Sequence, residues 1–92
     1  ILLASYTTAD LSEKDLRALS LVGSEDGVLN RENHANNRPN LPTDTTEIEI
    51  TGGNHAYFGA YGAQKGDGTA TLTAQQQITF SADSIAAFMK GE

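Results

Sequence analysis

The chain opens on Ile1-Leu2-Leu3-Ala4-Ser5-Tyr6, a run that is apolar from its first residue. An apolar run of this kind reads as a strand buried on both faces, and such strands sit inside sheets. A chain that begins on one is expected to have been cut or matured out of a larger protein. The composition points the same way. Only 19 of the 92 residues are Leu, Ile, Val or Phe, close to the level of about one fifth below which a charged chain tends toward disorder. No cysteine is present to supplement so small a core with a disulfide or to hold a thiolate metal site.

Charge and hydropathy narrow the partners. A net charge of −6 leaves no basic surface to displace counterions from a phosphate backbone, so nucleic acid is not expected as a partner. The longest apolar run, Ile1 to Ala4, is far short of the roughly 20 residues that span a bilayer. No basic segment precedes it, as one would in a signal peptide. A soluble protein with no membrane-spanning segment is expected, and the lack of cysteine suits the cytoplasm or a bacterial cell surface.

Two further strands are expected. Leu16 to Gly23 is an apolar run closed by the turn residues Gly23-Ser24-Glu25-Asp26-Gly27. Thr45 to Thr51 alternates, with Ile48 and Ile50 on one face and Glu47 and Glu49 on the other, as in a half-exposed strand near a sheet edge. Between them Asn30 can cap a short helix running to about Asn37, beyond which Pro39 and Pro42 stop it. The terminal helix carries a capping box, Thr73-Ala74-Gln75-Gln76, an apolar series at Ile78, Ala82, Ile85 and Met89, and Gly91 to end it. The order implies an α/β fold, a mostly parallel sheet with flanking helices. Three strands and two helices cannot cover both faces of such a sheet, a second sign of an incomplete domain.

In open parallel sheets, ligands and catalytic groups gather beyond the carboxyl ends of the strands. Asp26 follows the second strand and His55 the third. If they meet, the carboxylate accepts the Nδ1 proton and Nε2 is left to act as a base. Taken singly, each has an ordinary reading, Asp26 as a turn-former and His55 as a loop histidine. Acid followed by histidine is the chain order of those two partners in α/β hydrolases, in which the nucleophile precedes both.

The segments Gly23-Ser24-Glu25-Asp26-Gly27-Val28, Gly52-Gly53-Asn54-His55-Ala56, Tyr57-Phe58-Gly59-Ala60-Tyr61-Gly62 and Gln64-Lys65-Gly66-Asp67-Gly68 together resemble the C-terminal part of an α/β hydrolase related to dienelactone hydrolases. The resemblance covers essentially the whole chain, as the last three strands and final helix of that fold. It implies Asp26 as triad acid and His55 as triad base. It also implies a serine nucleophile and an oxyanion hole in a preceding part of the protein, because no Gly-x-Ser-x-Gly occurs here. The implied activity is hydrolysis of a small-molecule carboxylic ester without a cofactor.

Other features have competing explanations. Glu25 is a neighbour of Asp26 that could take the acid's part. His34, near Glu32, invites a metal site with His55, but no spacing supplies three convergent ligands. Asp67-Gly68 reads as a hairpin turn rather than a calcium loop. Tyr57, Phe58 and Tyr61 can line a pocket or pack their glycine-rich loop onto the final helix. A non-catalytic module binding a sugar or other small ligand through these rings, or an inactive relative keeping only the fold, are the alternatives to an esterase.

Overall fold

The computed structural model describes residues 1–59 and 62–91. Its elements in chain order are β1 (Leu2–Leu3), β2 (Arg17–Gly23), α1 (Arg31–Asn36), β3 (Asp44–Ile50) and α2 (Ala74–Met89), with 3₁₀ turns at Arg38–Asn40 and Ala56–Phe58. Both strand pairings are parallel, and the sheet order is β1-β2-β3. Leu21 of β2 lies opposite Leu3 on one side and Ile48 on the other.

The strand buried on both faces is β2, where the five residues from Leu19 to Gly23 are all buried. The opening run behaves differently from its sequence. Only Leu2 and Leu3 pair, Ile1 and Leu3 are exposed, and Ala4 ends the strand with a left-handed φ of 51°. Among the described residues β1 pairs with β2 alone, whereas β2 is flanked on both sides. The bounds of the other strands shift by one residue. Leu16 is exposed in a turn before β2, and β3 runs from Asp44 to Ile50, with Thr51 already in the turn beyond it. Along β3, Ile48 and Ile50 face inward and Glu47 and Glu49 outward, as the alternation requires.

Helix α1 is capped by Asn30, whose side chain accepts from the Asn33 N–H at 2.9 Å, and it stops before the Pro39 turn. In α2 both halves of the capping box form, Gln76 N–H to Thr73 Oγ1 and Thr73 N–H to Gln76 Oε1. Gly91 follows the helix with positive φ. The expected apolar series is not the face α2 buries. Met89 is 73% exposed and Ala82 is exposed, while Gln77 and Ser81 are buried. The helix is turned by the polar needs of the loop beneath it, leaving Ile78 and Ile85 at the rim of the contact.

The segment before α2 also departs from expectation. Among the described residues no strands flank Asp67-Gly68, so there is no hairpin; a turn closes from Asp67 N–H to Gln64 O, and the Asp67 side chain is turned inward. Tyr61 lies outside the described residues.

Candidate active site

The carboxyl ends of β2 and β3 are laced together before either candidate residue is reached. Ser24 N–H donates to Ile50 O, Glu25 N–H to Gly53 O, and Gly52 N–H to Ser24 Oγ. The approach is close enough that a Cβ on Gly23 would stand 2.5 Å from the Gly53 carbonyl carbon. No side chain fits there.

Asp26 is carried on the turn after β2 with its side chain fully buried. Its Oδ1 accepts from the N–H groups of Val28 and Leu29, each at 2.8 Å, and its Oδ2 lies 2.8 Å from His55 Nδ1. Arg31, at the start of α1, holds the same turn from outside by donating to Gly23 O and Asp26 O. The imidazole is one quarter exposed. It lines a cleft of about 290 Å³ with Leu3, Ala4, Phe58 and Gln64. The structure thus brings Asp26 and His55 together, with the carboxylate sealed from solvent and the imidazole open to a cleft. With Nδ1 engaged by the carboxylate, Nε2 is the nitrogen free for proton exchange.

Glu25, the competing acid, is exposed. His34 lines a separate groove with Arg31, Arg38, Glu47 and Glu49, and no group of three or more His, Cys, Asp or Glu able to hold a metal occurs among the described residues. Of the aromatic residues, Phe58 lines the cleft, whereas Tyr57 is half-buried with its N–H held by Asn54 Oδ1.

Three supporting residues escaped the sequence reading. Asn54 is buried, its Nδ2 donating to Gly68 O. Gln77, fully buried on α2, binds both polar groups of the Asn54 backbone: Asn54 N–H donates to Oε1 at 3.0 Å, and Nε2 donates to Asn54 O at 2.8 Å. Asp67 accepts from the N–H groups of Gly27, His55 and Gly68 at Oδ1 and of Ala56 at Oδ2. The sequence carried no signal for Gln77, which stands outside the series Ile78, Ala82, Ile85 and Met89. For Asp67 there was none beyond its being an acid in a long glycine-rich loop.

Burial raises the Asp67 pKa, but the N–H donors of Ala56, His55, Gly27 and Gly68 outweigh it and hold the carboxyl below its ordinary value of 3.8. A carboxyl depressed in the folded state stabilises the fold above its ordinary pKa, and that contribution is lost as the pH falls through the lowered value. The Ala56 and Gly27 amide resonances are therefore expected to share one acid transition with its midpoint below 3.8. An acid transition with its midpoint at or above that value, or different midpoints for the two amides, would contradict this assignment.

Parallel strands, a helix in the crossover from β2 to β3, a carboxylate and a histidine meeting at the strands' carboxyl ends, and a cleft beside the histidine define a parallel α/β protein with its polar site where such folds place their chemistry. The model of the alpha/beta hydrolase family matches residues 1–79, and the chain belongs to that family. No curated protein and no solved structure gave a match. Among the described residues, no helix is long and apolar enough to cross a membrane.

Proposed function

We propose that this chain supplies the acid and the base of a Ser-Asp-His triad in a carboxylic ester hydrolase of the dienelactone hydrolase type, the serine and oxyanion donors coming from a segment that precedes Ile1. The observation that carries the reading is the 2.8 Å contact of His55 Nδ1 with the buried Asp26 carboxylate, at the edge of a cleft. His55 Nε2 takes the serine Oγ proton as Oγ attacks the ester carbonyl, and Asp26 stabilises the imidazolium that forms. That proton then passes from Nε2 to the departing alkoxide, leaving an acyl-serine. Water, deprotonated at the same nitrogen, attacks the acyl-serine, and its proton returns to the serine as the acid leaves. No cofactor enters these steps. Leu3 and Phe58 make the cleft partly apolar, with the Gln64 amide as a polar contact, which suits a small ester.

A serine-directed fluorophosphonate tests the assignment in the full-length polypeptide. It is expected to label one serine upstream of Ile1, and the label is expected to be lost in His55→Ala. A folded full-length protein that resists labelling, or labelling that survives His55→Ala at the same rate, would overturn it.

A further inference from the structure

We propose that Asp67 is the positioning residue of the Asp26–His55 couple, its one carboxylate clamping the acid-bearing turn and the base-bearing turn together. The inference rests on the acid and base reading above. The strand-end bonds of Ser24 and Glu25 to Ile50, Gly52 and Gly53 lie before either reactive side chain. Arg31 grips only the Asp26 turn, and Gln77 and Asn54 grip only the His55 side and the loop after it. Beyond the strand ends, Asp67 is the side chain among the described residues that bonds the backbone of both turns. It takes Gly27 N–H at 3.2 Å, one residue past Asp26, together with His55 N–H at 3.1 Å and Ala56 N–H at 2.9 Å.

The geometry determines what the clamp transmits. Asp26 is rigid relative to its own turn because Oδ1 already binds Val28 and Leu29, so moving Gly27 moves the carboxylate. The two peptides held on the other side flank the His55 Cα, so they set where the imidazole starts. Several N–H groups on one ionised carboxylate make charge-assisted bonds, which are stronger than neutral ones. The Asp67 backbone is itself tied to Gln64 O, which couples the clamp to a residue of the cleft wall.

Asp67→Asn tests this with volume conserved. The introduced amide, with its oxygen at the Oδ1 position, keeps three acceptor contacts but turns its NH₂ toward the Ala56 N–H, donor against donor. Two readouts in the full-length polypeptide apply: the Nδ1 proton resonance of histidine-labelled protein, assigned with His55→Ala, and steady-state kinetics on an activated ester. The native protein is expected to show a far-downfield Nδ1 proton that Asp67→Asn loses. The kinetics are expected to show a kcat lower by up to about 100-fold at little-changed KM, because small misplacements of a reacting group cost rates of that order. A downfield proton and a kcat that both persist in Asp67→Asn would overturn the clamp while leaving the Asp26–His55 pair standing. A folded native protein with no such proton would remove the pair, and the clamp with it. Asp67→Ala removes all four bonds; if it fails to fold, the Asp67→Asn variant decides.

Discussion

Asp26→Asn is expected to lower kcat by about 10⁴-fold with little change in KM in the full-length polypeptide. The size follows from the contacts of the carboxylate. Oδ1 is committed to the Val28 and Leu29 N–H groups, both of which need an acceptor. An asparagine therefore keeps its oxygen there and presents its NH₂ to His55 Nδ1, 2.8 Å away. Nδ1 must then accept, which moves the ring proton to Nε2 and leaves no lone pair to take a proton from a nucleophile. The turn survives, so folding is little affected and the loss falls on the chemistry. His55→Ala is expected to cost at least as much, since it removes the base. Steady-state kinetics on an activated ester check both, and an Asp26→Asn variant retaining a tenth or more of native kcat would mean that the carboxylate does not set the tautomer.

The sequence was legible where one local rule decided the outcome. The Asn30 and Thr73 caps, the Pro39 stop, the alternation along β3 and the placing of Asp26 and of His55 each just beyond a strand end all follow from residues a few positions apart. It was misleading where burial depends on neighbours. The apolar series of α2 points partly outward because Gln77, not a leucine or isoleucine, answers the backbone beneath the helix. Asp67 was read as a turn residue because its partners at Gly27, His55 and Ala56 are brought near only by the crossover connections. Spacing in one chain does not show which distant amides converge on a carboxylate.

Gln77 is where the largest effect on stability is expected. Its amide presents one acceptor and one donor to the two polar groups of the Asn54 backbone, as a neighbouring strand would, and it is completely buried. Gln77→Met keeps the length of the side chain and removes both partners, leaving a buried N–H and a buried C=O unpaired. At about 1–3 kcal/mol for each orphaned group, the loss is expected to reach about 2–6 kcal/mol. Gln77→Glu can keep both bonds only as the neutral acid, accepting from Asn54 N–H and donating to Asn54 O, so its cost is expected to shrink as the pH falls. Denaturant unfolding of the full-length polypeptide checks the argument, and a Met variant within about 0.5 kcal/mol of native would mean that the Asn54 peptide finds other partners. Because Asn54 immediately precedes His55, any folded Gln77 variant is also expected to lose activity at temperatures where it remains fully native, through a displaced imidazole and not through unfolding.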